Sequence, residues 1–176
     1  MPSQTIPTQP NSPNPLALLI KVAKEKHIEK KWENQPLYLI KILPNTSKGD
    51  LGEDFIEAYA NVLGFVVEEK KNRKGDYDKK INGKKFEIKF ATEDKSGSFQ
   101  FNHIRMDFKY DYLICIGCAP NDIFFEIYPK EDVVMGRAGT MVSMGKGHNA
   151  DFKLTKKKSI LLPIRDFKDK MTSILR

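Results

Sequence analysis

The clearest pattern of hydrophobic and polar positions lies in residues 75–90, GDYDKKINGKKFEIKF, where charged side chains alternate with aromatic and aliphatic ones. Asn82-Gly83, near the middle, is typical of a two-residue type I′ turn between antiparallel strands. The register of that turn places Asp78 directly opposite Glu87. Because side chains alternate between the two faces of a strand, one predicted face holds Tyr77, Ile81, Phe86, Ile88 and Phe90. The other holds Asp76, Asp78, Lys80, Lys85, Glu87 and Lys89.

Three further segments have the spacing of helices. Asn14-Pro15 is typical of a helix start, and this helix is predicted to end before Pro36, with apolar positions at Leu16, Leu19, Ile20, Ala23, Ile28 and Trp32. A second helix is predicted from Asp50 to Gly64, with a buried stripe of Leu51, Phe55, Ala58, Tyr59 and Val62. Residues 99–109 are predicted to be a third helix, although FQFN also alternates like a strand.

Short apolar runs predict strands at FVVEE (65–69), DYLICIG (111–117), DIFFEIY (122–128) and SILLPI (159–164), and a last helix follows them. The order helix, strand, hairpin, helix, strand predicts an α/β fold with a mixed central sheet flanked by helices. Residues 1–14 are predicted to be a disordered tail, because they are proline-rich and polar. Residues 15–176 are predicted to form a single domain, with its core at about 48–128 and a C-terminal loop and helix in 129–176.

The composition and net charge of the chain indicate which kinds of binding partner to expect. The chain has 176 residues, of which 40% are hydrophobic and 30% charged, and this is typical of a soluble globular protein. Its net charge of +7 favours a polyanionic partner such as nucleic acid, although a lysine-rich solvated surface is the alternative. No run of 18 apolar residues predicts a membrane helix, and the first residues lack the pattern of a signal peptide. We therefore expect a cytoplasmic location and no membrane partner.

The charged face of the hairpin has the composition of a metal site. Asp78 opposite Glu87 brings the two Cβ atoms to about 4.5–5.5 Å, which is destabilising unless the charges are neutralised. Mg²⁺ prefers one or two carboxylates together with waters and phosphate oxygens. Lys89, on the same face, could orient water or stabilise charge on a phosphate. The alternative interpretation is an amphipathic hairpin whose charged face is only solvated.

The same residues resemble the PD-(D/E)XK nuclease superfamily. Asp78 matches the first acidic residue of its motif, Glu87 the second and Lys89 the lysine. Tyr77 stands where the family usually has proline, and this leaves Asp76 as a rival for the first acid. The resemblance covers roughly residues 48–128.

This resemblance implies a site beyond the hairpin. Mg²⁺ would be bound by Asp78, Glu87 and the backbone carbonyl of Ile88, and Mn²⁺ is expected to substitute for it. Glu53, in the preceding helix, would join the metal site; the alternative is that Glu53 forms a capping box with Asp50. In the segment after the lysine strand, Gln100 and His103 would contact phosphate, or would lie on an exposed helix face.

A glycine-rich polar loop is predicted at 136–150. Arg137, Lys146, His148 and Asn149 in it can donate to phosphates or base edges, although a flexible surface loop is an equal alternative. The basic run KLTKKK (153–158) could likewise contact the phosphate backbone or be only solvated.

Within the superfamily the chain is most similar to a type II restriction endonuclease. That resemblance implies a Mg²⁺-dependent deoxyribonuclease that cuts duplex DNA at a short specific sequence and acts as a homodimer. A structure-specific nuclease of the same superfamily, such as a junction resolvase or repair nuclease, is the first alternative. A non-catalytic basic nucleic-acid-binding module is the second.

Overall fold

The structure is a computed structural model that describes residues 15–27, 29–68, 75–145 and 151–176. For residues 23–27 it describes the backbone alone. The predicted tail, residues 1–14, lies outside the described residues, as do Lys146, His148 and Asn149. Within the described residues, no helix is long and apolar enough to cross a membrane.

The larger of two sheets is mixed. Its strand order is β1-β2-β3-β5-β6-β9, in which β3 and β5 are parallel and the other neighbours antiparallel. These strands are Val67–Glu68 (β1), Lys79–Ile81 (β2), Lys84–Thr92 (β3), Tyr112–Cys118 (β5), Ile123–Pro129 (β6) and Leu162–Pro163 (β9). The mixed sheet and its helices confirm the predicted α/β fold class.

A smaller antiparallel sheet has the order β4-β8-β7. Its strands are Ser98–Arg105 (β4), Met141–Ser143 (β7) and Asp151–Lys157 (β8). It packs on one face of the larger sheet through an apolar cluster that includes Phe99, Leu113 and Leu154. Helices cover the other face. The core therefore consists of two apolar layers, one on each face of β3, β5 and β6.

The helices are Pro15–His27 (α1), Tyr38–Ile42 (α2), Asn45–Val62 (α3), Lys130–Val134 (α4) and Phe167–Ile174 (α5). α3 and α5 pack on the larger sheet through Ile56, Phe167 and Met171. One-turn 3₁₀ helices span Lys30–Trp32, Lys158–Ile160 and Ile164–Asp166.

The predicted hairpin register is confirmed. Lys79 pairs with Phe86 and Ile81 with Lys84, while Asn82 and Gly83 adopt positive φ angles of 44° and 80° as a type I′ turn requires. The predicted faces hold from Lys79 onward, but the strand begins there, and Tyr77 lies among residues packed on the Phe99 side of the sheet. The assignment of Tyr77 to the Ile81 face was therefore wrong, because strand alternation does not extend past Asp78.

The predicted helix at 99–109 is wrong, since the segment forms β4. Phe101 and Ile104 are both fully buried, three residues apart, and this spacing imitates a helix. The pairing of β4 with β8 shifts between those two residues, and His103 has a φ of 58°. A β-bulge therefore inserts an extra residue, so two inward side chains are separated by two outward ones.

The first two helices differ in part from their predictions, although Phe55 and Tyr59 of the stripe predicted for the second helix do pack against the apolar core. α3 begins at Asn45 rather than Asp50, and its buried residues are Gly52, Ile56 and Ala60, whereas Val62 is 82% exposed. In α1 the predicted apolar residues Leu16, Leu19 and Ile20 are exposed. Trp32, assigned to the same helix, lies in a separate 3₁₀ turn and is fully buried.

Gly52 fixes the distance between α3 and β3. A Cβ at this position would lie 2.7 Å from the Cβ of Phe90. We expect Gly52→Ala to lower the free energy of unfolding by about 1–2 kcal/mol, since overpacking costs about 1–3 kcal/mol and helix propensity returns up to ~1 kcal/mol. Gly49→Ala in the same helix is the control, because a Cβ there meets nothing within 4 Å. Equal urea midpoints for the two variants would contradict this close packing.

Candidate active site

A cleft of about 350 Å³ opens over one edge of β3. In the described part of the chain, β2 pairs with β3 only as far as Phe86, so the edge that follows lacks a neighbouring strand. The start of α3 borders the cleft on one side and β4 on the other. Backbone atoms at Ile88–Thr92 therefore border a space that side chains from three elements can reach.

Asp78 lies at that edge of β3. Its backbone N–H donates to the carbonyl of Phe86 at 2.8 Å, and its Oδ2 accepts the N–H of Ile88 at 2.7 Å. In an extended strand the N–H and C=O of one residue point to the same side. The carbonyl of Ile88, a cleft residue, thus points toward the edge where the Asp78 carboxylate lies, which brings two of the predicted oxygen ligands to one place.

Glu87 and Lys89 lie on the face of β3 opposite Ile88. Lys89 Nζ forms an ion pair with Glu87 Oε1, and the two side chains are 19% and 3% exposed. Of the described residues, those that line the cleft include Lys89 and exclude Glu87 and Asp78. Lys89 is therefore the charged group of the motif that reaches the cleft, and its ammonium lies beside the buried carboxylate.

Burial raises the pKa of Glu87 to about 7. This value includes an opposing effect of the Lys89 ammonium, which lowers the pKa, and smaller upward effects of the Asp78 and Glu53 carboxylates. Three carboxylates, from β3, its preceding segment and α3, are thus close enough to interact through space. Such an arrangement favours either a bound proton or a cation.

The stability of the metal-free protein is expected to reflect this shift. Between pH 4.5 and 7 the folded protein keeps a proton on Glu87 that the unfolded chain has lost, so the free energy of unfolding falls as pH rises. We expect the urea midpoint of the wild type, measured relative to Glu87→Gln in EDTA, to decrease from pH 5 to pH 7.5. The other charged or titratable groups that interact with Glu87 are common to both proteins and are Glu53, Asp78, Lys89, Arg105, Tyr110 and Lys130.

Adding Mg²⁺ at pH 7.5 supplies the second half of that test. The wild-type midpoint should rise, because a cation offsets the repulsion among the carboxylates. Glu87→Gln should respond much less. The electrostatic interpretation of the site would be contradicted if the urea midpoint of the wild type, relative to that of Glu87→Gln, rose with pH. It would also be contradicted if Mg²⁺ raised both midpoints equally.

Glu53 reaches the cleft from α3. The alternative role in a capping box with Asp50 is wrong, because α3 begins at Asn45 and Asp50 lies within the helix. The close contact of Gly52 with Phe90 holds the following residue, Glu53, beside β3. The helix therefore delivers a third acidic side chain to the region of Glu87.

Gln100 and His103 also line the cleft, although from a strand rather than a helix. Gln100 Nε2 lies 3.4 Å from Asp94 Oδ2, and His103 Nδ1 lies 2.9 Å from Asp151 Oδ2. Both side chains are at the surface. Both predicted residues thus reach the cleft despite the error in secondary structure.

The sequence interpretation missed other polar residues of the cleft, Asn45, Lys48, Asp94 and Asn102. Burial and the neighbouring Lys41 lower the pKa of Lys48. With α3 beginning at Asn45, the positions 45, 48, 49 and 53 share one helical face, so a correct helix start is the signal that would have found Lys48.

Arg137 is not brought to the cleft within the described structure. Its Nε donates to Asp132 Oδ1 at 2.6 Å and its guanidinium to Glu131 Oε1 at 3.0 Å, both on α4. Its predicted partner residues in the loop, Lys146, His148 and Asn149, lie outside the described residues.

The oxygen atoms near the edge of β3 fit a magnesium ion that takes only a few of its ligands from the protein. Within residues 15–27, 29–68, 75–145 and 151–176, no group of three or more His, Cys, Asp or Glu side chains is arranged to hold a metal ion. A site here would depend on Asp78 and Glu87 with the Ile88 carbonyl. One or two carboxylates, completed by waters and phosphate oxygens, are the usual protein ligands of Mg²⁺, and Glu87 is a buried carboxylate that interacts with the Asp78 carboxylate.

No protein family and no curated protein matches the sequence. Among solved structures, part of the fold is similar to that of a bacterial homing endonuclease, I-Ssp6803I, with a TM-score of 0.46 and 15% sequence identity. The match covers 65% of this chain and 76% of that chain. Because a likeness this distant carries no argument about activity, what the site does is inferred from this chain's own residues.

Proposed function

We propose that this protein is a Mg²⁺-dependent endonuclease that hydrolyses phosphodiester bonds of duplex DNA at a short specific sequence, like the type II restriction enzymes of the PD-(D/E)XK superfamily. The observation that carries the proposal is that the three motif side chains lie together at one edge of β3. Asp78 accepts a hydrogen bond from the Ile88 N–H, and Glu87 and Lys89, the residues before and after Ile88, form an ion pair. Two carboxylates and a backbone carbonyl can hold Mg²⁺, an ammonium group can stabilise charge on a phosphate, and a cleft of about 350 Å³ lies beside them.

Asp78, Glu87 and the Ile88 carbonyl would hold the metal, which supplies an activated water and neutralises the leaving oxygen. Mn²⁺ should replace Mg²⁺, because both accept carboxylate, carbonyl and water ligands. Glu53 would bind a second metal or order a water, from its position across the cleft.

The chain's own contribution to hydrolysis is positioning and charge. Lys89 Nζ, held by Glu87 at the cleft, orients a water oxygen for attack on phosphorus and stabilises the negative charge that develops on the phosphoryl oxygens. The bond from phosphorus to one bridging oxygen breaks as the bond to the water oxygen forms. The water gives up one proton to the solvent, and the departing oxygen takes up one proton from the solvent. Lys48, on the α3 side of the cleft, adds a second positive group for the phosphate backbone.

The proposal includes a homodimer, since two copies related by a two-fold axis would supply one active site for each strand of a palindromic sequence. The net charge of +7 favours DNA as the partner. A cytoplasmic location belongs to the same proposal.

The test is digestion of a plasmid and a long linear duplex with Mg²⁺, beside an EDTA control. A four-way junction and a flap of mixed sequence are digested in parallel. Discrete duplex fragments, formed only with Mg²⁺ and without preference for branched substrates, are expected. Cutting confined to branch points would favour the structure-specific nuclease instead, whereas binding without any cutting would favour the non-catalytic module.

A further inference from the structure

The outer face of the smaller sheet is largely polar and exposed in the described structure, apart from Ser98, which is buried, and Val142 of β7, which is apolar. Pairing of β4 with β8 puts Gln100 opposite Thr155 and Ser98 opposite Lys157, whereas Phe101 opposite Leu154 points into the core. Gln100, Thr155 and Lys157 are exposed, while Phe101 and Leu154 are fully buried. Strand alternation therefore separates this sheet into an apolar inner face and a hydrogen-bonding outer face.

The β-bulge in β4 increases the polar content of that outer face. Phe101 and Ile104 both point inward, and the two residues between them, Asn102 and His103, are both exposed. A regular strand would have turned one of these two side chains into the core. Gln100 and Asn102 share this face by ordinary strand alternation, and the bulge adds His103 to it. Lys153 lies on the neighbouring strand β8.

This outer face continues into the cleft. Gln100 and Asn102 line the cleft together with Lys89. A duplex whose phosphodiester lies at Lys89 therefore brings a groove against the sheet, without a change in the fold. A two-stranded β-ribbon fits into the major groove of B-form DNA, where carboxamides can pair with adenine and lysine with guanine.

We propose that the outer face of the β4-β8-β7 sheet is the surface that reads base edges in the major groove, with Gln100 and Asn102 as the specificity-determining residues. Lys157, toward one end of β8, contacts the phosphate backbone and positions the sheet. This inference depends on the proposed function for its partner, duplex DNA, and assigns sequence reading to Gln100 and Asn102 rather than to Arg137, Lys146, His148 and Asn149.

The test is selection of bound sequences from a duplex pool with a randomised central segment. Ca²⁺ replaces Mg²⁺, because it accepts the same oxygen ligands. The wild type is expected to enrich one short motif. Gln100→Ala and Asn102→Ala should each lose the preference at one or two adjacent positions and bind the wild-type motif roughly 5- to 150-fold more weakly, which is the discrimination of one bidentate pair.

Two matched lysine variants distinguish recognition of base edges from electrostatic binding of the phosphate backbone. Lys157→Ala should weaken binding to all sequences alike and reduce the slope of log affinity against log salt by about 0.9, the effect of one lost phosphate contact. Lys168→Ala, which changes an exposed lysine on α5 on the other side of the larger sheet, should change neither the motif nor the slope.

An RNA duplex of the selected sequence should compete poorly, because side chains cannot enter the deep, narrow major groove of A-form RNA.

The outcomes for binding and for cleavage can be told apart. A motif that Gln100→Ala and Asn102→Ala leave unchanged, no enrichment at all, or full competition by RNA would overturn the inference, even if the wild type cuts plasmid DNA. A motif that the two sheet variants alter supports the inference even if Mg²⁺ produces no cutting, and the proposed hydrolysis alone would then fail.

Discussion

Lys89→Ala is expected to lower Mg²⁺-dependent cleavage of duplex DNA by roughly 10²–10³-fold or more, the usual effect of removing one group that stabilises transition-state charge. Of the three motif side chains, Lys89 is the one that lines the cleft. Affinity for the same duplex should change little, because one positive charge of many is lost. The measurement is single-turnover cleavage at saturating enzyme, beside an affinity titration with Ca²⁺.

Lys89 has two possible effects, and the variants can separate them. Its ammonium lowers the pKa of Glu87, so its loss also leaves more of that carboxyl group protonated at neutral pH. Lys89→Met, which keeps the length of the side chain, should remain as slow at pH 9 as at pH 7 if the ammonium acts on water or phosphate. Recovery of near wild-type cleavage at pH 9 would show that Lys89 serves only to ionise Glu87.

Lys84→Ala is the matched control for that series. Lys84 is an exposed lysine at the start of β3, five residues from Lys89. The substitution removes the same charge from the same strand and should leave cleavage within about 2-fold of wild type, as expected for a surface position. Equal losses in both lysine variants would indicate a general effect of charge and would contradict the site.

The hairpin could be predicted from the sequence because its geometry is local. Asn82-Gly83 accepts the two positive φ angles of a type I′ turn, and the turn alone fixes which residues pair. The juxtaposition of Asp78, Glu87 and Lys89 follows from that register. The raised pKa of Glu87 does not, since it depends on burial under the smaller sheet and on Glu53 from α3.

β4 could not be predicted correctly, because two physical causes give the same spacing. Phe101, Ile104 and Phe108 match one face of a helix, and the spacing of the first two also results from a strand with a bulge. Only pairing with β8, about 50 residues later, decides between them. The alternation of FQFN puts Asn102 on the same face as Gln100, so a strand assignment would have found Asn102 as a cleft residue.

The surface of α3 shows a different limit. The helix was predicted to begin at Asp50, but it begins at Asn45 and contains Gly49 and Gly52, although glycine weakens isolated helices. Packing overrides this propensity, since Gly52 is what allows α3 to approach Phe90 so closely. Lys48 and Asn45 thereby become part of the cleft, although the predicted helix began after both residues.

Asp78→Asn and Asp76→Asn should differ strongly in their effect on cleavage. Asp78 Oδ2 accepts the Ile88 amide at 2.7 Å, and its charge helps to raise the pKa of Glu87, whereas Asp76 interacts with Lys130. Asparagine at position 78 keeps an oxygen that accepts the Ile88 N–H, so the fold should be preserved while a metal ligand loses its charge. We expect a loss of at least about 10²-fold in single-turnover cleavage for Asp78→Asn, and of less than about 10-fold for Asp76→Asn.

Stability measurements provide a readout of the same pair that does not require activity. Removing the negative charge of Asp78 should lower the pKa of Glu87, so the fall in urea midpoint between pH 5 and pH 7.5 in EDTA should become smaller in Asp78→Asn. The rise in midpoint on adding Mg²⁺ should shrink in the same variant, because a cation ligand has been neutralised. Asp76→Asn should keep both responses. If Asp76→Asn instead lost cleavage and the Mg²⁺ response while Asp78→Asn retained them, Asp76 would be the first acidic residue of the site, and the hydrogen bond between Asp78 and Ile88 would be purely structural.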